Sequence, residues 1–390
     1  MKNPLFLCGP ANCGTNLVKA ILGVNENIHL ESEPFLPLFQ YLRTDILKKK
    51  SKDTKTKYTD PLFEYYFSKL DIGKIQTIQN SNLKVKINKK QLNDLKKNIL
   101  KRMDDYVPHL KKDIKHLKGL NYKSVFDSAI KIIDKNHQKK NIKWIGWMDS
   151  WIEEFFPILA KEYPKAKFVL ILRDPRAAIA SYKNYFKKKG KPNFAPMTLS
   201  YLRCWRKQLA FIEYFKSLSF LRNRFVLIKY EDLVNNPKKI IKKLCIFLSI
   251  KYSSKMLDSE NFMGLGKNTK KWTPNSNFNV KSKGIYKNSL FRWKKNLSKE
   301  MLNFIQCIVG PELKFLNYEK KIKIYDYNKI LNFHKDDYKT LKGWRTSHIS
   351  PEKDIRYDFN RNLILTNKKN NKKLIKYNFL FEEIYYKLIK

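Results

Sequence analysis

A short glycine-containing loop near the start of the chain has the residue types and the spacing of a phosphate cradle. Four residues separate Gly9 from Gly14, and the loop joins an apolar run at 4–8 to a helical pattern at 15–22. Backbone N–H groups at a helix N-terminus point at an anion, and the helix dipole favours negative charge there. The loop therefore predicts a phosphate site, with an ordinary strand-to-helix turn as the alternative.

The residues after Gly14 exclude one large class of phosphate-binding enzyme. A Walker A loop needs Lys and then Ser or Thr, which hold the terminal phosphates and Mg²⁺. Here the two positions hold Thr15 and Asn16. Metal-assisted nucleotide hydrolysis by a kinase-like enzyme is therefore not expected, and a loop that binds phosphate without a metal remains as the functional hypothesis.

A second group of candidate ligands follows an apolar run in the middle of the chain. In LRDPRAAIASY, Arg173 ends the predicted strand and Ser181 lies two turns along the next helical pattern. Ligands of open α/β sheets bind at the carboxyl ends of strands, and a guanidinium and a hydroxyl both donate to phosphate. In the alternative, Arg173 pairs with a surface carboxylate and Ser181 only packs. A Walker B role for Asp174 is disfavoured by the absent Walker lysine.

Alternating strands and helices position these groups. Helical patterns follow the apolar runs in PLFLC, KFVLILR and RFVLIKYEDL, and a further strand-to-helix passage spans 28–42, with Pro34 expected at the helix start. Continuously apolar strands are typical of parallel sheets buried on both faces. Alternation of strand and helix implies right-handed crossovers. The predicted fold is α/β, with a central parallel sheet and helices on both faces.

Changes in composition divide the chain into three predicted parts. Residues 1–43 and 141–318 are expected to form the α/β domain. Residues 44–140, rich in Lys and Asn, are predicted to be a mostly helical insertion, and residues 319–390 a C-terminal extension of unknown role. The 390 residues, 43% of them hydrophobic, are enough to bury a sizeable core.

The formal net charge of the chain is +46, with Lys and Arg spread over its whole length. Such a charge suits an anionic partner: a nucleotide, a nucleic acid, an acidic glycan or a membrane surface. A composition biased toward Lys, Asn, Ile, Tyr and Phe explains most of it. Because no recognised nucleic-acid motif is present, no specific nucleic-acid partner is expected, although the positive field would still attract a polyanionic donor.

Cysteine usage and hydropathy bear on the compartment. The five cysteines form no CxxC pair and no zinc-spaced cluster, and Cys204, Cys245 and Cys307 lie among apolar residues and are expected in the core. No apolar stretch has the length of a signal peptide or a transmembrane segment. A soluble, cytoplasmic protein in a reducing compartment is the expectation.

Four motifs, in order, resemble the sulfotransferase family over residues 4–42 and 144–318. They are the loop at 9–16 and the segments RDPRAAIAS, RFVLIKYEDLVNNPKKIIKKLCIFL and GIYKNSLFRWKKNLSKEMLNFIQCIVGPELKFLNYE. The last is similar to a segment of the bacterial and Golgi-type branches. The resemblance implies a P-loop-like fold and transfer of a sulfuryl group from 3′-phosphoadenosine-5′-phosphosulfate (PAPS) to a hydroxyl acceptor, by preference a carbohydrate, with no metal.

The resemblance also implies roles for individual residues. Glu33 would be the general base that takes the proton of the acceptor; Glu31 is the fallback, and His29 is a weaker candidate. Without the family, Glu33 would be a helix-start residue. The 5′-phosphosulfate of the nucleotide would contact Asn12, Cys13, Gly14, Thr15 and Asn16. Its 3′-phosphate would contact Arg173 and Ser181, and its adenine would contact Tyr230. Lys283 and Arg292 would belong to a loop that closes over the nucleotide.

The alternatives for the last three of these residues are structural. Tyr230 could be a half-buried aromatic at a strand end, and Lys283 and Arg292 could be solvated cations in a Lys-rich chain. Two other positions depart from the family pattern, because Asn12 and Met148 stand where basic residues are usual.

Loss of a cation at a developing charge can cost roughly 10²–10³ in rate. The competing hypothesis is therefore a sulfotransferase-like protein that binds the nucleotide but is weakened as a catalyst. Three cations, Lys19, Arg43 and Lys143, are candidates to substitute for the missing charge.

Overall fold

A computed structural model describes residues 2–62, 69–263, 285, 287, 290–322, 325–341 and 350–390. Its centre is a five-stranded sheet in the order β2-β3-β1-β4-β5, and all four pairings are parallel. The predicted α/β fold is confirmed. The strands are β1 (Asn3–Cys8), β2 (Ile28–Ser32), β3 (Trp144–Met148), β4 (Lys167–Leu172) and β5 (Phe225–Lys229).

Helices surround the sheet. In the first half of the chain they are α1 (Thr15–Gly23), α2 (Leu36–Ser51), α3 (Lys69–Gln79), α4 (Lys89–Tyr106), α5 (Tyr122–Lys135), α6 (Phe156–Glu162), α7 (Pro175–Lys188) and α8 (Thr198–Ser217). They continue as α9 (Ser219–Arg222), α10 (Tyr230–Asn235), α11 (Pro237–Leu248), α12 (Trp293–Asn296), α13 (Lys299–Phe315), α14 (Tyr327–Thr340), α15 (Pro351–Thr366), α16 (Lys372–Asn378) and α17 (Glu382–Leu388). Short 3₁₀ helices span Pro108–His116, Glu153–Phe155, Pro192–Phe194, Ser254–Leu257 and Ser259–Asn261.

The position of each strand in the sheet explains its burial. The inner strands β1, β3 and β4 are almost entirely buried, as their continuous apolar sequences require. The strand predicted in RFVLIKYEDL is present as β5, but its predicted burial is wrong: β5 is an edge strand, and of its residues only Ile228 is buried. The strand also ends before Tyr230, which begins α10.

The passage from β2 to α2 differs from the prediction. Helix α2 begins at Leu36, and its first-turn proline is Pro37 rather than Pro34. The reason is the backbone of Glu33, which has a left-handed φ of 49° and donates its N–H to the Met148 carbonyl oxygen at 2.7 Å. This bond holds the turn against β3 and delays the start of the helix.

Within residues 44–140, the described segments 44–62 and 69–140 contain the rest of α2, the helices α3 to α5 and the 3₁₀ helix Pro108–His116. Capping boxes at Asn88 and Asn121 begin α4 and α5, and such caps satisfy backbone donors that have no partner within the helix. The division of the chain into a domain, an insertion and an extension stays a prediction.

The C-terminal residues, to which no role was assigned, pack on α8 and α13 through buried ion pairs. The Asp358 carboxylate accepts from Arg203 at 2.7 Å and from Arg206 at 2.7 Å, and Arg361 binds Glu312 at 2.5 Å. The side chains of these residues are at most 1% exposed. Ion pairs this deeply buried are costly to break, so they fix α15 on the body of the protein.

All five cysteines are buried and unbridged, which confirms the prediction for Cys204, Cys245 and Cys307. In the part of the chain that the structure describes, no helix combines the length and the apolar character that crossing a membrane requires.

Candidate active site

Three residues with strained backbone lie at the carboxyl edge of the sheet. Asn12, Glu33 and Trp151 have left-handed φ values of 62°, 49° and 67°, and they follow the neighbouring strands β1, β2 and β3. Non-glycine residues pay about 1–3 kcal/mol for such backbone, and strain of this kind clusters at functional sites. The other described non-glycine residues with positive φ are all at helix C-termini, where this backbone is common: Lys52, Ser249, Asn317 and Lys368.

The loop between β1 and α1 can be built only with glycine at two positions. A Cβ on Gly9 would lie 2.7 Å from the Ile171 carbonyl oxygen, and Gly14 has a φ of 97°. Gly14 is the N-cap of α1, offers no side-chain cap, and is followed by a first turn that contains no acidic residue. The first N–H groups of a helix have no partner within it, so this turn presents donors and positive dipole charge.

The chemistry of the loop side chains is compatible with a bound anion. Burial raises the pKa of the Cys13 thiol to about 12, so Cys13 stays neutral and adds no negative charge. Thr15 is 5% exposed and begins the helix, and Asn16 follows it in the first turn.

Two side chains of helix α8 form hydrogen bonds with the loop and with the end of β4. The Tyr201 hydroxyl donates to the Ala11 carbonyl oxygen at 2.8 Å and lies 3.6 Å from the Cys13 sulfur. One turn along, the Trp205 indole N–H donates to the Arg173 carbonyl oxygen at 2.9 Å. Sequence reasoning missed Tyr201 and Trp205, because aromatic residues four apart on a helix are also the usual pattern of a core-facing stripe.

Arg173 reaches the loop from the end of β4. Its Nη1 donates to the Asn12 carbonyl oxygen at 3.0 Å, and its guanidinium carbon lies 4.2 Å from the centre of the Tyr230 ring. The same ring packs on the loop, since a Cβ on Gly14 would lie 2.4 Å from its Cδ2. Four residues selected from the sequence, on three separate segments, therefore lie together.

The motifs that contain Arg173 and Tyr230 are bound to each other and to the end of α13. Asp174 caps α7 and pairs with Arg176 at 2.7 Å, and its own N–H donates to Glu231 at 2.9 Å. Glu231 also accepts from the Tyr318 hydroxyl at 2.8 Å, while Arg176 forms an ion pair with Glu319. Asp174 is thus a structural cap and not a Walker B acid.

The remaining predicted nucleotide ligands lie near these motifs along the chain. Ser181 is in α7 and 9% exposed. Arg292 precedes α12, whose Trp293 ring lies 4.1 Å from the Arg176 guanidinium carbon. Lys283 lies outside the described residues. Their part in nucleotide binding stays a prediction.

Glu33 lies beside an arginine and a second carboxyl group. Arg102 of α4 forms an ion pair with the Glu33 carboxylate, donates its Nε to the Glu33 carbonyl oxygen at 2.9 Å, and lies 3.9 Å from Asp149. Burial raises the pKa of Glu33, and Arg102 opposes the shift. Burial raises the pKa of Asp149 well above its ordinary value, so the charge of Arg102 is balanced by Glu33 and not by Asp149.

Glu31 lies in a different environment from Glu33. It accepts from His109 at 2.9 Å and from His29 at 3.1 Å, and it is 5% exposed. Burial alone would raise the pKa of Glu31, but the two histidines hold that pKa well below its usual range. A carboxylate this strongly stabilised in its ionised form is a poor general base, and the choice of Glu33 as the base stays a prediction.

Asn12 and Met148 carry no charge of their own, although the Arg173 guanidinium contacts the Asn12 carbonyl oxygen at 3.0 Å. Met148 ends β3 and is fully buried, with its carbonyl oxygen bound to Glu33. Arg43 donates to the carbonyl oxygens of Asp60 and Pro61. Lys143 precedes β3, at the opposite edge of the sheet, and binds the Ser249 carbonyl oxygen.

The third candidate cation, Lys19, lies in α1, the helix that follows the loop. It is 9% exposed, has a pKa lowered by burial, and interacts electrostatically with Glu31. Arg43 and Lys143 are bound to other carbonyl oxygens, and substitution by Lys19 stays a prediction.

A cleft of about 380 Å³ lies between α2 and α4. It is lined by Arg102 and Tyr106, with Tyr58 and Gln40 among its other walls. Its connection with Glu33 is Arg102, which lines the cleft and forms the ion pair with the Glu33 carboxylate.

The profile of the sulfotransferase family matches residues 4–254, which include the loop, Glu33, Arg173 and Tyr230. This match covers well over half of the chain. The chain belongs to the sulfotransferase family, as its motifs predicted.

Individual relatives are distant. A Caenorhabditis elegans protein whose name assigns it provisionally to the protein-tyrosine sulfotransferases is 25% identical over 202 residues, which are 50% of this chain and 72% of that protein. The sulfotransferase domain of the curacin biosynthetic pathway is similar in structure, with 16% identity, a TM-score of 0.45, and coverage of 82% of this chain and 99% of that domain. A retinol dehydratase complex with androsterone and the inactive cofactor PAP has 13% identity, a TM-score of 0.35 and 80% coverage of each chain. Scores this low transfer no ligand or substrate to this protein.

Proposed function

We propose that this protein transfers a sulfuryl group from PAPS to a hydroxyl acceptor, with a carbohydrate as the acceptor. The observation that carries the proposal is the contact of Arg173 with both the loop carbonyl of Asn12, at 3.0 Å, and the Tyr230 ring, at 4.2 Å. A strand-end guanidinium beside helix-terminal N–H groups offers donors to two separate phosphate groups of one nucleotide.

The donor half of the reaction is assigned to the loop and the strand end. The first turn of α1 and residues 12–16 bind the 5′-phosphosulfate, and Arg173 with Ser181 binds the 3′-phosphate. Tyr230 offers its ring to the adenine. Lys283 and Arg292 close over the nucleotide. No step in the proposal requires a metal ion.

The acceptor half is assigned to Glu33. Its carboxylate takes the proton of the acceptor hydroxyl as the oxygen attacks sulfur in line. The new O–S bond forms while the bond from sulfur to the bridging oxygen of the donor breaks. The products are a sulfate ester and adenosine 3′,5′-bisphosphate, and the proton remains on Glu33 until solvent removes it.

A second candidate function is supported by the same structure. Asn12 and Met148 carry no positive charge where basic residues are usual in the family, and the candidate cations Arg43 and Lys143 bind carbonyl oxygens elsewhere. A protein that binds the nucleotide with little or no transfer is the alternative. The two functions predict the same nucleotide affinity and differ only in turnover.

Two acceptor classes are to be compared. The C-terminal segment resembles carbohydrate-directed members of the family, which is the basis of the proposed acceptor. The C. elegans relative carries the name of a protein-tyrosine sulfotransferase, so tyrosyl peptides are the competing class. A screen of oligosaccharides and tyrosyl peptides with ³⁵S-labelled PAPS decides between them by which class becomes labelled.

Titration calorimetry with adenosine 3′,5′-bisphosphate tests the donor half. We expect saturable micromolar binding that Arg173→Ala weakens by about 10- to 100-fold, since a charge-assisted hydrogen bond is worth roughly 1.5–3 kcal/mol. Arg222→Ala is the matched control, because Arg222 is exposed and precedes β5 at the opposite edge of the sheet. Absence of binding to the unmodified protein would refute both candidate functions, and binding without transfer to any acceptor would leave the second.

A further inference from the structure

The strained turn at Glu33 is held by one side chain from outside the sheet. Arg102 binds Glu33 twice: through its carboxylate, and through its carbonyl oxygen, which accepts from Nε at 2.9 Å. A contact to both the side chain and the main chain of one residue fixes its position and its rotamer together. The guanidinium is itself held against the Tyr106 ring, 4.7 Å from its centre.

This arrangement is local to the catalytic edge of the sheet. The Arg102 side chain is 21% exposed and the Glu33 side chain 15% exposed, so the pair is screened from water on most sides. The remaining exposed part of Arg102 lines the cleft between α2 and α4. An acceptor that enters this cleft therefore meets Arg102, the ion-pair partner of Glu33.

The groups around Glu33 leave Arg102 as its compensating charge. Those that face it are Arg102 and Tyr106 on α4, Asp149 after β3, and Tyr182 on α7. Tyr106, whose pKa the Glu33 charge raises to about 12, and the partly buried Tyr182, whose pKa is raised well above its ordinary value chiefly by burial, remain neutral. Burial raises the pKa of Asp149 well above its ordinary value, and the Asp149 carboxyl lies 3.9 Å from Arg102 rather than in direct contact. Of these groups, only Arg102 carries positive charge.

We propose that Arg102 is the positioning residue of the reaction: from the wall of the cleft between α2 and α4 it fixes the Glu33 carboxylate in its strained turn. This inference rests on the proposed function, in which Glu33 is the general base. It also gives the insertion a part in catalysis, because Arg102 lies in α4 and belongs to none of the motifs that carry the family resemblance. A base held in place to within an ångström is worth about 10² in rate.

The test compares Arg102→Gln, Arg102→Lys and the control Lys97→Gln. Lys97 is an exposed cation on the same helix, so its loss changes the net charge by the same amount without touching Glu33. Transfer of labelled sulfuryl groups is measured as a function of pH, with adenosine 3′,5′-bisphosphate affinity measured in parallel.

We expect Arg102→Gln to lower kcat about 10²-fold and to move the acid limb of the pH profile to higher pH. The shift has this sign because Arg102 lowers the pKa of Glu33, and its removal leaves burial unopposed. Arg102→Lys restores the position of the acid limb and part of kcat. Nucleotide affinity stays within about twofold in all three variants, and Lys97→Gln behaves as the unmodified protein. An acid limb that does not move in Arg102→Gln, or an equal loss in Lys97→Gln, would overturn the inference.

A second measurement does not depend on turnover. In protein labelled with ¹³C at the glutamate carboxyls, the Glu33 resonance is identified by its loss in Glu33→Gln, and its titration midpoint is followed in Arg102→Gln. An upward shift of the midpoint supports the pairing of Arg102 with Glu33, and an unchanged midpoint contradicts it. If the midpoint shifts but the unmodified protein transfers nothing to any acceptor, the proposed function has failed and the catalytic role of Arg102 falls with it.

Discussion

Replacing Gly14 with alanine tests whether the loop can keep its shape only with glycine. Two costs arise at this position. A φ of 97° is a left-handed conformation, which costs a residue with a Cβ roughly 1–2 kcal/mol. The new methyl group would also lie 2.4 Å from Tyr230 Cδ2 and 2.8 Å from its Cε2, and overpacking of this kind costs typically about 1–3 kcal/mol.

Together the two costs amount to roughly 2–5 kcal/mol for the native loop. If the loop relaxes to avoid this cost, nucleotide binding has to return the loop to its native shape and the cost is then taken from the binding free energy. A loss of 2 kcal/mol of binding free energy weakens the affinity about 30-fold. Calorimetry with adenosine 3′,5′-bisphosphate measures the affinity, and urea denaturation measures the free energy of unfolding. We expect Gly14→Ala to reduce the affinity at least about 30-fold.

Two other glycines separate the strain from the clash. Gly190 has a φ of 67° but open space where a Cβ would stand, and Gly23 has open space and no positive φ. Gly190→Ala should cost roughly 1–2 kcal/mol of stability without loss of affinity. Gly23→Ala, at the end of α1, should leave both quantities nearly unchanged. If Gly14→Ala bound the nucleotide as well as Gly23→Ala does, the packing of Tyr230 on the loop would not be a requirement of the site.

Two further predictions concern helix α8. Asp358→Ala leaves Arg203 and Arg206 buried without their shared carboxylate. Because breaking such a pair costs about 3–5 kcal/mol, this variant should unfold at a clearly lower urea concentration. The control Glu352→Ala removes a surface pair with Lys335 and should leave the urea midpoint unchanged, so equal midpoints in the two variants would contradict the argument. Tyr201→Phe leaves the Ala11 carbonyl oxygen without its 2.8 Å donor and should weaken nucleotide binding by about 10-fold, since an unsatisfied buried group costs roughly 1–3 kcal/mol. The control Tyr385→Phe loses a similar hydrogen bond, to the Lys369 carbonyl oxygen in the C-terminal region. It should lower the free energy of unfolding without weakening nucleotide binding. If both variants bound the nucleotide less well, the Tyr201 hydroxyl would act only through overall stability.

The parts of the molecule that could be predicted are those in which local pattern and function coincide. The inner strands β1 and β4 are continuously apolar because both of their faces are buried, and a glycine loop or an arginine at the end of such a strand can be recognised directly. The convergence of Asn12, Arg173 and Tyr230 followed from the parallel order of the strands, because carboxyl ends meet at one edge.

Contacts between distant segments could not be predicted from one sequence. Arg102 lies 69 residues from Glu33, in a Lys-rich stretch where another basic residue gives no signal. Pro34 looked like a helix start, but the bond between the Glu33 N–H and Met148 moved that start to Leu36. Such a hydrogen bond joins two strands that have more than a hundred residues between them, and no local preference encodes it.

Helix α8 uses both of its sides. On one side, Tyr201 and Trp205 donate hydrogen bonds to the loop and to the end of β4. On the other side, Arg203 and Arg206 form ion pairs with carboxylates of α15. Helix α15, within residues 319–390, is therefore packed against the same helix that supports the loop, and removal of these residues should affect the loop. We expect a chain shortened to end at Tyr318 to expose Arg203 and Arg206 without these carboxylates, and thereby to destabilise the helix that supports the loop between β1 and α1.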